Sequence, residues 1–163
     1  MAKTEHALSG SEFSMMEVTD ISADVDYFFV CGYAGSGKST YSRVLATMLN
    51  ANFVEASDIV KMLSNETTRE GLTKTGDLAP QIAEKLKNLP TPIVISGVRQ
   101  AEILAQFEGT RHSIMWIEVP EQIRQERVDR RRDEKDTVQI AVADELDDDL
   151  GLRGVLQYIT MKH

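Results

Sequence analysis

The stretch Gly32-Tyr33-Ala34-Gly35-Ser36-Gly37-Lys38-Ser39, followed by Thr40, decides how this chain folds, because it fits G-x-x-x-x-G-K-[ST] at every fixed position. Just upstream lies the apolar run Tyr27–Cys31, and downstream Tyr41, Val44, Leu45 and Met48 recur at i, i+3, i+4 and i+7. The run predicts a buried strand and the spacing predicts a helix with that face on a sheet, so the glycines fall at a strand-to-helix turn. Gly32, Gly35 and Gly37 let the main chain take positive φ and approach an anion closely. Successive N–H groups and the helix N-terminus then surround phosphate oxygens. Lys38 is expected to neutralise β- and γ-phosphate charge, and the Ser39 hydroxyl to ligate Mg²⁺. A turn that only joined strand to helix would need neither the lysine nor the hydroxyl.

Outward from the loop, short apolar runs alternate with amphipathic stretches, the pattern of an α/β sheet covered by helices. The candidate strands are Tyr27–Cys31, Asn52–Glu55, Pro92–Ser96, Ser113–Val119 and Val155–Met161, and their alternation with helices implies parallel pairing. Ser57 is placed to cap a helix carrying Val60, Met62 and Leu63. Pro80 suits the first turn of another, whose inward positions are Ile82, Leu86 and Leu89. Ile103, Leu104 and Phe107 mark a further helix, and Pro120 with Glu121 the start of the next. Residues 1–24 are polar and mixed in charge without a sustained period, and are expected to be a flexible N-terminal tail before a folded domain at 25–163.

Composition narrows the function. The 163 residues suit one domain. A net charge of −8 argues against a protein held to nucleic acid by overall charge, although a local basic stripe stays open. The single cysteine, Cys31, excludes a disulfide framework and a multi-cysteine zinc site, and His6, His112 and His163 lack metal-ligand spacing. The longest apolar run falls far short of the ~20 residues that span a bilayer, and the chain reads as cytoplasmic. An N-K-x-D segment for guanine recognition is missing, as is an apolar strand ending in paired acids, so a GTP switch and an oligomeric ATPase both fit poorly. A small kinase fits, because phosphoryl transfer needs mainly positioning and positive charge around the transferred group.

Gly32–Thr40, Asp58 after the second strand, Thr68-Arg69-Glu70-Gly71-Leu72 leading to Gly76, Ile95-Ser96-Gly97-Val98-Arg99 and the arginine run after Pro120 together resemble the adenylate-kinase-like and dephospho-coenzyme-A-kinase-like small kinases of archaea and phages. The resemblance implies a three-layer α/β fold of the phosphate-loop nucleotide-kinase type, with a five-stranded parallel sheet, an acceptor site beside the loop and an arginine-bearing lid. It implies ATP as co-substrate with Mg²⁺, and Gly32, Tyr33, Ala34, Gly35, Ser36, Gly37, Lys38, Ser39 and Thr40 as the nucleotide-binding segment. It also implies that Asp58 orients or deprotonates the acceptor or helps hold the metal, that Arg99 and Arg69 grip an acceptor phosphate, and that Arg127 and Arg131 close over the phosphates with Lys38 as catalytic partner. Many relatives carry Asp where this chain has Ser96, which leaves Asp58 or Glu55 to supply the metal-supporting carboxylate.

Other charged residues read as solvated. Arg124, Arg130 and Arg132 are expected at the surface, and Asp144, Glu145, Asp147, Asp148 and Asp149 as an exposed helix end. Three functions stand open: a kinase acting on a free (deoxy)nucleoside monophosphate or a hydroxymethyl-pyrimidine nucleotide, a phage DNA-modification kinase acting on 5-hydroxymethyluracil in DNA, and a nucleotide-binding regulator without chemistry. A polymer-bound base would have to leave its stack to be reached.

Overall fold

In the computed structural model, residues 5–7, 14–16, 24–64, 78–131 and 139–162 are described. Strands β1 (Glu5–Ala7) and β2 (Ser14–Met16) pair antiparallel, in the segment expected as a tail without strand period. The main sheet comprises β3 (Tyr27–Cys31), β4 (Asn52–Glu55), β5 (Ile93–Ser96) and β6 (His112–Trp116), all parallel, in the order β4-β5-β3-β6. The phosphate-loop strand β3 is therefore central, and the chain leaves it toward one side and returns to the other. Open parallel sheets bind ligands beyond the strand ends at such a reversal.

Alternate residues of β3 serve opposite faces. Phe29 and Cys31 join Ile93 and Ile95 under α2 (Ala56–Ser64), α3 (Ala79–Lys87), α4 (Ala101–Ala105) and the C-terminal helix. Phe28 and Val30 join Val94 and Met115 under α1 (Lys38–Leu49). Two helical layers thus sandwich the sheet, and each fully buried Phe, Ile or Leu contributes about 1.5–3 kcal/mol of transfer free energy. Pro80 opens α3 and its inward residues Ile82 and Leu86 are fully buried. Ser57, expected as a cap, lies inside α2, while Ile59 and Val60 face the core and Met62 faces solvent.

Two sequence expectations need correction. The sheet has four strands among the described residues rather than five, because Val155–Met161 belongs to α7 (Leu152–Lys162), which follows α5 (Glu121–Arg131) and α6 (Ile140–Leu150). Its β-branched residues suggest a strand, yet Leu152, Val155 and Ile159 recur at helical spacing, and the first two are buried against α4 and the sheet. In α1, Tyr41 and Leu45 are buried as expected, but Val44 is 51% and Met48 61% exposed. The inward stripe is Tyr41, Ser42, Leu45 and Ala46, rotated because Ser42 meets its polar need locally by donating to the Lys38 carbonyl at 2.6 Å.

Candidate active site

At the end of β3 the chain turns through the glycine-rich loop into α1. Positive φ occurs at Gly35 (78°) and Gly37 (85°) and not, as expected, at Gly32. Gly32 is required by space instead, since a Cβ there would lie 2.8 Å from Ser36 Oγ and 2.9 Å from the Ile117 carbonyl. Lys38 and Ser39 are the first residues of α1, and Thr40 follows them, exposed, in the same turn. The Lys38 ammonium folds back over the loop and donates to the Tyr33 carbonyl at 3.4 Å. Ser39 Oγ donates to Glu55 Oε1 at 2.7 Å.

That contact separates two candidate acids. Glu55 is the last residue of β4 and stands opposite Ser96 in the strand register, so the sheet itself carries its carboxylate to the loop. Asp58, one turn into α2, is exposed. Ser96 is fully buried and its hydroxyl has no hydrogen-bond partner among the described residues. A hydroxyl beside a carboxylate is an all-oxygen donor pair of the kind Mg²⁺ accepts together with substrate phosphates. No group of three or more His, Cys, Asp or Glu residues capable of holding a metal occurs among the described residues.

Past β5, Gly97 adopts φ 83°, and a Cβ on it would lie 3.7 Å from each of Arg99 Nη1, Glu55 Oε2 and Lys38 Cε. Glycine suits this position by its positive φ, and around it three charged side chains from separate elements converge. Beside them a cleft is lined by Ser57 and Val60 of α2, Gly97 to Gln100, Ile103 of α4 and Leu150 of α6. Arg99 lines it with its guanidinium fixed by two acceptors: Nε donates to Asp147 Oδ1 at 3.0 Å and Nη1 to the Gly97 carbonyl at 3.1 Å. Asp147 is fully buried and Arg99 is 21% exposed. The α6–α7 corner is packed hard on this segment, since a Cβ on Gly151 would come within 2.9 Å of the Arg99 carbonyl.

Arg127 is half-buried and donates to the Gly35 carbonyl at 3.1 Å, against the loop it is expected to serve. Arg131 closes α5, and its side chain lies outside the described residues, as does the whole of Arg69 with the segment leading to Gly76. The sequence reading misses Arg124, which is 6% exposed rather than a surface charge. It donates to the Ala34 carbonyl at 3.2 Å, to the Val119 carbonyl at 3.0 Å and to both oxygens of Asp144, and its guanidinium lies over the Tyr33 ring. The acidic cluster is no solvated helix end: besides the Asp144 and Asp147 pairs, Asp148 accepts from the Tyr33 hydroxyl at 2.8 Å. The signal was present, because Asp144, Asp147 and Asp148 fall at i, i+3 and i+4, one face of a helix. Burial and the Asp148 hydrogen bond push the Tyr33 hydroxyl up to about 12, keeping it a donor at neutral pH.

A family model described as an AAA domain (AAA_33) matches residues 28–150. A shikimate kinase of Microcystis aeruginosa is 26% identical over 101 residues, 58% of this chain and 53% of that protein, so the chain aligns with about half the length of this curated relative. Among solved structures, the shikimate kinase from Acinetobacter baumannii in complex with shikimate superposes with a TM-score of 0.53 at 16% identity, over 90% of this chain and 98% of the other. That from Bacteroides thetaiotaomicron gives the same TM-score at 19% identity, over 83% and 81%. These likenesses establish an α/β phosphate-loop kinase fold.

Proposed function

This chain belongs to the AAA domain family AAA_33, and we propose that it is an ATP-dependent kinase moving the γ-phosphoryl group of ATP onto a hydroxyl of a small acceptor. The observation that carries this reading is the loop in which Lys38 and Ser39 open α1 with Ser39 Oγ 2.7 Å from Glu55. In this reading Lys38 takes up charge on the β- and γ-phosphates, and Arg127 and Arg131 stabilise the transferring group. Ser39 and Glu55 would hold Mg²⁺, which would supply charge neutralisation at the phosphates. The acceptor oxygen bonds to the γ-phosphorus as the bond to the β–γ bridging oxygen breaks, ADP departs, and the hydroxyl proton passes to Asp58 in the first turn of α2.

The acceptor we favour is a small hydroxy acid of the shikimate class. The matched relatives are named for that substrate, and the charge balance of the cleft supports it. Arg99 is already paired with a buried carboxylate, so the cleft offers little surplus positive charge to a dianionic phosphate. A singly charged carboxylate suits the remaining part of its fork better. A free (deoxy)nucleoside monophosphate is the second reading, favoured by Arg99 standing beside Lys38 and Glu55 around Gly97. Among the described residues no helix is long and apolar enough to cross a membrane.

The deciding experiment supplies γ-labelled ATP and Mg²⁺ with shikimate, with each deoxynucleoside monophosphate, with hydroxymethyluracil-containing DNA, and with no acceptor. Label on shikimate is the expected result. Label on a nucleotide or on DNA transfers the assignment to that acceptor, and ATP binding without transfer to any of a broad panel of alcohols makes the chain a regulator.

A further inference from the structure

The mechanism above leaves Asp144 and Asp148 of α6 without a role, although they reach residues of the loop and of α5 from outside. Asp144 grips Arg124 with both oxygens at 2.6 and 2.8 Å, and Asp148 accepts from the Tyr33 hydroxyl at 2.8 Å. We propose that Asp144 and Asp148 are positioning residues for the nucleotide: through Arg124 and Tyr33 they hold the first half of the phosphate-binding loop in the shape that receives the triphosphate. The proposal rests on the reading of that loop as the ATP site.

Arg124 has five N–H groups, and the four bonds to Val119, Ala34 and Asp144 occupy most of them. A guanidinium so committed, and 6% exposed, is built as a brace rather than as a phosphate ligand. Its bond to the Ala34 carbonyl has a direct consequence for the loop. The peptide unit is planar and trans, so fixing the Ala34 oxygen outward sends the Gly35 N–H to the opposite side. Arg127 holds the next carbonyl, that of Gly35, in the same way at 3.1 Å. Gly35, with φ 78°, has few intrinsic restraints of its own, and its backbone lies close to Arg124, a Cβ there meeting Arg124 Cβ and its carbonyl at 3.0 Å. Tyr33 is pinned on three sides: by Arg124 over its ring at 5.3 Å, by the edge of Trp116 at 5.6 Å and by Asp148 at its hydroxyl. A loop rich in glycine is thus made rigid by side chains distant in sequence, which lowers the ordering cost that ATP would otherwise meet.

The sign of one substitution separates this from the alternatives. Asp144→Asn removes a negative charge near the triphosphate, so electrostatics alone predicts tighter ATP binding. A purely structural contact predicts a lower melting temperature and unchanged affinity of the folded protein. Positioning predicts weaker binding, by about tenfold, as the loss of one charge-assisted hydrogen bond would give. The measurement is calorimetric titration of the full chain with Mg·ATP, paired with the fluorescence of Trp116, the sole tryptophan. The control is Asp149→Asn, the same charge change at an exposed position of the same helix, expected to match wild type. Equal or tighter binding by Asp144→Asn overturns the proposal. Should that variant fail to fold, Tyr33→Phe decides: it keeps the ring against Trp116 and removes only the hydroxyl, and is expected to weaken binding several-fold. Unchanged affinity there overturns the proposal as well. Absence of Mg·ATP binding by the wild-type chain instead overturns the kinase reading itself, and so the two failures are distinguishable.

Discussion

The proposed donor and acceptor halves of the site are built by different means. The phosphate-binding loop is one continuous segment, Gly32–Thr40, whose glycines, lysine and hydroxyl carry its chemistry in consecutive positions. The proposed acceptor face is assembled from the end of β4 (Glu55), the turn after β5 (Gly97, Arg99) and α6 (Asp147, Leu150). They also treat charge differently. Lys38 donates to the Tyr33 carbonyl within its own loop, whereas Arg99 is tied to the fully buried carboxylate of Asp147 in α6. A contiguous motif can gather its anion-binding groups locally because main-chain amides and a helix terminus share the load. A site gathered from several elements needs counter-charges to fix each long side chain in place.

The largest effect expected from breaking this contrast is on the donor side. Lys38→Ala should cut ATP turnover by about 10²–10³-fold, the loss typical of one charge-stabilising donor, whichever acceptor is used. Full activity in that variant would remove the loop from the reaction. Next, Glu55→Gln should raise the Mg²⁺ concentration needed for half-maximal rate by about tenfold or more. Asp58→Asn should leave the Mg²⁺ requirement alone and lower kcat; the reverse pattern would exchange the two acids' roles.

A smaller effect is expected on the acceptor side. Arg99→Ala should raise the KM of the acceptor while that of ATP stays near wild type, and equal changes would deny Arg99 an acceptor role. The same variant removes the Arg99–Asp147 ion pair and should cost about 1–3 kcal/mol, read as a shifted urea midpoint. The smallest perturbation concerns Cys31, the fully buried last residue of β3. Burial pushes its thiol up to about 12, so the thiolate is scarce at pH 8. Iodoacetamide should label it only on unfolding, and rapid labelling of the native chain would mean that the loop above it opens freely.

What could be read in advance follows the same division. The loop, strand β3 and the helical face of Tyr41 and Leu45 are local patterns, each visible within a dozen residues. Val155–Met161 misleads because β-branched residues favour strands only where a neighbouring strand edge receives them, and here Val155 is instead buried against α4. Glu55 and Asp58 are three residues apart, and only the strand register shows that the first, not the second, faces Ser39. Arg124 looks like any other member of an arginine-rich helix until the loop and α6 close around it.

By itself, then, the amino-acid order determined a strand, a glycine-rich turn and a helix in succession, since those depend on backbone conformations and periodicities that neighbouring residues impose on one another. Tertiary structure alone decided which carboxylate meets Ser39, which arginine faces the cleft and which braces the loop. Those choices depend on the packing of β4, β5 and α6 around β3, where separations of a few ångströms are set between residues up to 115 positions apart. Electrostatic and hydrogen-bonding energies fall away over such distances, and nothing in the local sequence fixes them.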